Sequence, residues 1–182
     1  NISVSVYVTM LHTFLLVITR PPKATTPYSS AASGGYKRQQ VKNINDARRS
    51  LSGAGTSTAG FVFGGSPPAK PETELWNGTN WTEQNNLSTA RSDATGAGSQ
   101  PSALNSGGYT TTVVATVEEW TGAGANIGAW ATGGNLNTAR MDMGGAGIQT
   151  AALVIGGGFP SPFNNDTDSY NGQTWQEVNN LK

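Results

Sequence analysis

The chain has 182 residues, of which 36% are hydrophobic and only 12% are charged, and its 11 basic and 11 acidic side chains cancel. This balance argues against nucleic acid as a partner, because phosphate binding needs a basic surface. The absence of cysteine excludes disulfides and thiolate metal sites. With 24 glycines and 9 prolines, long helices are disfavoured, and the abundant Thr and Val indicate short strands. The expected class is therefore all-β.

Residues 1–19 contain the longest apolar run. Five apolar residues alternate with polar ones, which is the period of a strand with one buried face: Ile2, Val4, Val6, Val8 and Met10. We therefore predict an N-terminal hydrophobic strand segment over 1–19 that takes part in assembly. A secretory signal and a membrane segment are alternatives, but the run is short for a bilayer and carries His12, so no membrane span is expected.

Residues 20–42 have a different composition, with Pro21, Pro22, Pro27 and several Ser, Thr and Gly. Such a composition is typical of an extended linker. A linker at this point allows the strand before it to pair with a strand that is not its neighbour in the sequence.

Residues 43–182 repeat one pattern three times, in the units 43–86, 87–135 and 136–182. Each unit contains an arginine, a glycine doublet and two aromatic residues. In chain order these are Arg48, Gly64, Gly65, Trp76 and Trp81; Arg91, Gly107, Gly108, Trp120 and Trp130; Arg140, Gly156, Gly157, Tyr170 and Trp175. The spacing from the second unit to the third is longer than that from the first to the second, by the same amount for the arginines and for the doublets. One insertion in the second unit therefore explains both differences. It lies in 121–128, between the two tryptophans of that unit.

A unit of about 45 residues with four short strands is the size of a β-propeller blade. We expect a Gly/Ala-rich first strand near the crowded axis, an apolar second strand ending at the doublet, and two further strands that carry the aromatic pair. Asn77-Gly78 and Asn171-Gly172 predict tight hairpins with positive φ. In the second unit the polar sequence at 104–106 replaces an apolar run, so its second strand is expected to be exposed or irregular.

These residues resemble the kelch repeat family, whose units combine an arginine-containing approach, an apolar strand ending in Gly-Gly, an aromatic residue and a following tryptophan. The sequence LNTAR at 136–140, followed by the Gly/Ala-rich tract and the doublet, is similar to the repeats of kelch-like arrays in structural and tail-fibre proteins of phages. The resemblance covers 43–182 and implies three kelch-like four-stranded antiparallel blades.

Three blades are too few for a closed ring, since propellers use about 4 to 8. The chain is therefore expected to be part of a longer array, an open array, or a ring completed between copies. The strand at 1–19 could add to a sheet edge of another copy by β-augmentation, or it could complete the last blade of its own chain.

The repeated arginines have two interpretations. They could line one rim and bind an anionic ligand, or they could hold loop carbonyls or the adjacent blade. Asp93 and Asp142 each follow an arginine by two residues, which predicts a local ion pair on one strand face. The oxygen-bearing residues at 164–168 have calcium-like spacing, although an ordinary polar loop is the alternative.

Catalytic and cofactor-binding residues are not predicted. His12 is the only histidine, so neither a histidine-based metal site nor a Ser-His-Asp arrangement is expected. The loops expected to bind a ligand are the variable ones at 66–72, 109–116, 121–128 and 159–168. Asn77 and Asn80 are the main candidates for glycosylation, although triplets of this kind also arise by chance in a chain rich in Asn, Ser and Thr.

Two functions remain open. The first is a non-enzymatic structural or adhesive protein of a virion appendage or extracellular filament, which assembles with itself through sheet edges and recognises surfaces, including glycans, through its loops. The second is a carbohydrate- or protein-binding kelch module, either monomeric or part of a longer propeller. Either function predicts an extracellular or virion-associated protein, because uncharged polar surfaces of this kind are common there.

Overall fold

The computed structural model describes residues 42–122, 128–158 and 163–182. These residues form twelve strands in three separate four-stranded antiparallel sheets, with no helix among them. The all-β class and the three four-stranded units are confirmed. The predicted strand at 1–19, with Ile2, Val4, Val6, Val8 and Met10, lies outside the described residues, as does nearly all of the predicted linker.

Each sheet is a simple meander whose strands lie in chain order. The first sheet contains β1 (Ser52–Gly55), β2 (Gly60–Phe63), β3 (Thr73–Trp76) and β4 (Trp81–Gln84). The second contains β5 (Thr95–Ser99), β6 (Ser102–Ser106), β7 (Val117–Thr121) and β8 (Ala129–Thr132). The third contains β9 (Gly144–Ile148), β10 (Ala151–Gly157), β11 (Asn164–Tyr170) and β12 (Trp175–Val178).

The predicted aromatic pairs lie directly opposite each other on the third and fourth strands of each sheet. Their ring centroids are 5.3 Å apart for Trp76 and Trp81, 5.3 Å for Trp120 and Trp130, and 4.8 Å for Tyr170 and Trp175. Aromatic rings at such distances contribute about 0.5–1.5 kcal/mol beyond the area they bury.

The first strands of the three sheets, β1, β5 and β9, lie side by side, as expected for the crowded centre of a propeller. A Cβ atom on Gly96 would lie only 2.6 Å from the Gly53 carbonyl oxygen and 2.9 Å from Phe63 Cζ. Small residues are therefore required here because the backbones approach closely.

The two Asn-Gly turns have the expected positive φ at glycine, 91° at Gly78 and 93° at Gly172. The hairpin is a four-residue loop, closed by a bond from the Asn77 N–H to the Asn80 carbonyl. The Asn77 side-chain oxygen accepts hydrogen bonds from the Thr79 and Asn80 N–H groups, so this asparagine forms an Asx turn.

The prediction of an exposed or irregular strand at 104–106 is wrong. Strand β6 is regular and pairs on both sides, and Leu104, Asn105 and Ser106 are all buried. The second sheet lies between the other two, so both of its faces are covered whatever the polarity of its residues. Two clusters of apolar side chains fill these interfaces, one between the first and second sheets and one between the second and third.

Candidate functional site

A buried arginine joins the entry to each sheet with its third strand. Arg91 donates to the Glu118 carboxylate at 2.8 Å and to the main-chain oxygens of Gly107 and Thr116 at 3.1 and 2.9 Å. The second Glu118 oxygen accepts from the Ser88 N–H at 2.7 Å, so the carboxylate also fixes the loop that precedes the arginine. Burial lowers the pKa of Arg91.

The other two sheets repeat this pair. Arg48 donates to Glu74 at 2.8 Å, and Arg140 donates to Asp168 and to the Gly156 carbonyl. The interpretation that the arginines hold loop carbonyls is confirmed. The alternative that they line a rim and bind an anionic ligand is wrong, because their side chains are at most 2% exposed.

The predicted local pairs of Arg91 with Asp93 and of Arg140 with Asp142 are also wrong. Both aspartates precede their strands and have positive φ, 55° and 54°, so the alternation of a strand does not apply to them. Instead, the arginines pair with acidic residues that lie two positions before the first aromatic of each unit. That spacing recurs in all three units and could have revealed the pairing.

The residues with positive φ link the three sheets through their main chains. Ser50, Asp93 and Asp142 occupy equivalent positions, one before each sheet. The Asp93 N–H donates to the Ser50 carbonyl at 3.0 Å, and the Asp142 N–H donates to the Asp93 carbonyl at 2.9 Å. Within the described residues, this series ends at the Ser50 N–H and the Asp142 carbonyl.

The glycine doublets form a second set of links. The Gly65 N–H donates to the Arg91 carbonyl at 2.8 Å, and the Gly108 N–H donates to the Arg140 carbonyl at 3.0 Å. All six doublet glycines have positive φ, and a Cβ atom on Gly107 would lie 2.5 Å from the Arg140 oxygen. The doublets are therefore needed so that the arginine carbonyl of the next sheet can come close.

A glutamine on the hairpin between the first and second strands forms a third link, which the sequence reasoning missed. Gln100 Nε2 donates to the carbonyls of Gly60 and Trp76 in the first sheet, at 2.8 and 2.5 Å. Gln149 Nε2 makes the same two bonds to Ala103 and Trp120 in the second sheet, at 3.2 and 2.9 Å. The first unit has Ser57 at this position. The recurrence of glutamine in two units was the available signal.

Aromatic residues complete the interfaces between the sheets. Trp120 and Trp130 pack on Phe61 of the first sheet, with ring centroids 5.8 and 6.3 Å away. The Tyr170 hydroxyl in the third sheet donates to Glu119 in the second. Burial, reinforced by the neighbouring Glu119 carboxylate, raises the pKa of Tyr170 to about 12.

The third sheet has an uncovered apolar face. We call the face that a sheet turns towards the next sheet in the chain its forward face, and the opposite one its rear face. On the forward faces, Phe61 and Leu104 are 1% and 0% exposed, whereas the equivalent Leu153 is 37% exposed. Ile148 and Val178 lie on the same face and are also exposed.

The loops between second and third strands lie on one rim, which we call the loop rim. Each contacts the segment that enters its sheet: Ser66 pairs with Arg49, Tyr109 pairs with Ser92, and the Gly158 N–H donates to the Met141 carbonyl. Of the loops predicted to bind a ligand, 66–72 and 109–116 lie on this rim. Thr121 and Gly122 lie at the opposite end, where β7 ends, and residues 123–127 lie outside the described residues. Residues 159–162 lie outside the described part of the chain.

Two aromatic side chains of the loop rim are exposed, Tyr109 at 41% and Phe163 at 88%. Residues 164–168 belong to strand β11 rather than to a loop, and Asp168 is engaged by Arg140, so the calcium-like spacing does not produce a cluster of ligands. Across 42–122, 128–158 and 163–182, no group of three or more His, Cys, Asp or Glu side chains could hold a metal ion. Asn77 and Asn80 are both exposed at the opposite end of the sheets.

No helix in the described ranges is long and apolar enough to cross a membrane. No protein-family model and no curated protein sequence matches the chain. Solved structures do match it. One, described as "Structure of YjhT", is 15% identical, with a TM-score of 0.63 and coverage of 78% of this chain. The chain spans 54% of the length of that structure. At this identity the likeness shows the fold alone.

Proposed function

We propose that this protein is a non-enzymatic structural and adhesive protein, a kelch-like propeller that assembles from copies of itself and presents its loop rim to surfaces. The observation that carries the proposal is the uncovered forward face of the third sheet. Leu153 is exposed there, although its equivalents in the other two sheets are fully covered by the next sheet. A face of this kind is stabilised when another sheet packs on it.

The use of the buried charges supports a structural role. The repeated arginines and their carboxylates are committed to hydrogen bonds that hold the entry loops and strands of each sheet. The resemblance to kelch-like arrays of phage structural proteins suggests the setting, a virion appendage or an extracellular filament.

The mass of the purified chain in solution tests the proposal. We expect size-exclusion chromatography with light scattering to give dimers or larger species at micromolar concentrations, and electron microscopy to show rings or fibres. Monomers at every concentration, together with featureless micrographs, would contradict self-assembly.

A second candidate, a carbohydrate- or protein-binding module, is favoured by the exposed Tyr109 and Phe163 on the loop rim. Exposed aromatic rings that share a rim can stack on the apolar faces of sugars. A glycan array probed with the wild-type chain and with Tyr109→Ala should show binding that the substitution weakens. Signals that are unchanged in the variant would argue against this surface.

A further inference from the structure

We propose that the forward face of the third sheet binds the rear face of the first sheet in a second copy, head to tail. This inference rests on the self-assembly proposed above and specifies its interface. Two copies joined in this way bring six sheets into one series. Each interface continues the packing that already joins the sheets within one chain.

The main-chain groups at the two ends of the sheet series are complementary. Each internal interface uses a glycine N–H and a carbonyl from the earlier sheet, and an arginine carbonyl and an N–H from the later one. At the third sheet the equivalent groups are the Gly157 N–H and the Asp142 carbonyl. The first sheet supplies the Arg48 carbonyl and the Ser50 N–H, so the same two bonds can form between copies.

The side chains of the two faces also match. In the second internal interface, Val154 and Tyr170 on the rear face of the third sheet belong to the same buried cluster as Leu104. The equivalent positions in the first sheet are Val62 and Trp76. The rear face of the first sheet therefore carries the residue types that cover a leucine, and Leu153 is the leucine left uncovered.

The glutamine link distinguishes the new interface from the internal ones. Its position in the first unit is Ser57, whose side chain is too short to reach the two carbonyls that glutamine holds. The forward face of the third sheet is more apolar than those of the other sheets, because Ile148 and Val178 replace their polar or small residues. These equivalents are Thr56 and Ser99 for Ile148, and Gln84 and Gly133 for Val178.

This combination favours the first sheet of a second copy as the occupant. The rear faces of the second and third sheets, which carry the glutamines, are already covered within the chain. The interface between copies replaces a polar link with apolar contacts. It is therefore expected to be weaker and more readily exchanged than the internal interfaces.

Charge substitutions on the two faces test the inference in the full chain. Leu153→Asp and Val62→Asp should each convert the assembly to monomers in light scattering, while near-UV circular dichroism confirms that both remain folded. Phe163→Asp is the matched control, because Phe163 is an exposed apolar residue of the third unit that lies on the loop rim. This control should assemble as the wild type does.

Mixing the two variants identifies the head-to-tail geometry. A mixture of Leu153→Asp and Val62→Asp retains one unmodified interface and should form dimers that neither variant forms alone. If Leu153 faces met each other instead, Val62→Asp would assemble normally, and that result would overturn the inference. Assembly that survives both substitutions would also overturn it while leaving self-assembly intact, whereas a monomeric wild type would overturn both.

Ser57→Gln is a substitution that should strengthen the interface between copies. The Ser57 carbonyl accepts from Trp76 Nε1 just as the Gln100 carbonyl accepts from Trp120 Nε1, so the backbone can carry glutamine without rearrangement. Two added hydrogen bonds should lower the dissociation constant of the assembly about tenfold. An unchanged or higher dissociation constant would show that a different surface joins the copies.

Discussion

The buried ion pairs show how individual residues stabilise this fold. Glu118 lies on β7, 27 positions after Arg91, and its two oxygens serve the guanidinium and the Ser88 N–H. A buried charge pair is stabilising only when its remaining hydrogen-bonding groups are also satisfied. At Arg91 and Glu118, loop carbonyls and a loop N–H group provide those partners, so the pair fixes the chain entry to the second sheet. Arg48 and Arg140 each keep buried guanidinium nitrogens without a hydrogen-bond partner in the described part of the chain, so their pairs are less completely satisfied.

Removing one member of the pair should be costly. Glu118→Ala leaves the Arg91 guanidinium buried without its carboxylate, and we expect a loss of about 3–5 kcal/mol in the free energy of unfolding. Urea denaturation measures this loss. Asp93→Asn is the control, since the Asp93 side chain does not bind Arg91 and asparagine tolerates positive φ. A comparable loss in the control would contradict the assignment.

Asn105 is a residue whose burial works against stability. It is fully buried, and neither its side-chain nitrogen nor its oxygen has a hydrogen-bond partner in the described part of the chain. The equivalent residues of the other sheets are valines, Val62 and Val154. Asn105→Val should therefore stabilise the protein by about 1–3 kcal/mol in urea denaturation. The reciprocal Val154→Asn should destabilise it, and a less stable Asn105→Val variant would refute the argument.

The hydrogen bond between Tyr170 and Glu119 makes stability sensitive to alkaline pH. The pKa of Tyr170 in the folded protein, about 12, lies above the value of about 10 for an unfolded tyrosine. Its contribution is therefore fully present below pH ~10 and is lost as the pH rises towards 12.

Melting temperatures measured between pH ~8 and ~11.5 test this dependence. The wild type should lose more stability than Tyr170→Phe over that range. Tyr109→Phe, which removes an exposed hydroxyl, should keep the wild-type slope. Parallel curves for the wild type and Tyr170→Phe would contradict the proposed linkage.

At the level of the strands, glycine is needed where the first strands meet and not where they face open space. A methyl group on Gly96 would contact the Gly53 backbone at 2.6 Å, whereas the nearest atom to a methyl group on Gly144 is 3.7 Å away. Both residues belong to equivalent Gly/Ala-rich strands, and neither has positive φ. Their environments therefore differ in crowding rather than in backbone conformation.

Alanine substitutions at the two glycines should distinguish steric crowding between the sheets from the effect of alanine on strand propensity. Gly96→Ala is expected to destabilise the protein by about 1–3 kcal/mol because the first and second sheets must move apart. Gly144→Ala should change stability by less than about 0.5 kcal/mol. Thermal denaturation of the two variants measures the difference, and equal effects would show that the spacing of the sheets is not limiting.

At the level of the whole molecule, the three sheets form a directional series with different ends. The forward face of the third sheet carries the exposed Leu153, Ile148 and Val178. The first sheet, at the other end of the series, has Ser57 at the position of the linking glutamine. Heterologous contacts between such ends close into a ring when the rotation permits and extend into a filament when it does not.

Assembly through these ends should make stability depend on concentration. Association stabilises the folded state by mass action, so the melting temperature of the wild type should rise as protein concentration increases. Leu153→Asp should remove this dependence while leaving the fold intact. A concentration-independent melting temperature in the wild type would mean that folding and association are uncoupled.

The sequence by itself determined the features that depend on neighbouring residues. The threefold repeat, the four-stranded units, the aromatic pairs, the Asn-Gly turns and the need for small residues in the first strands follow from short-range pattern and turn chemistry. Each of these signals is carried by a short stretch of sequence, where periodicity and glycine conformation dominate.

Only the tertiary structure decided which distant groups meet. Arg91 could be paired with nearby Asp93 from the sequence, yet strand register brings Glu118 to it instead. The polar strand around Asn105 is buried because sheets cover it on both sides, and the glutamine links join residues of different sheets. The uncovered face of the third sheet is likewise a property of the packed series. Whether Leu153 is buried depends on the presence of a neighbouring sheet, which its own sequence context does not encode.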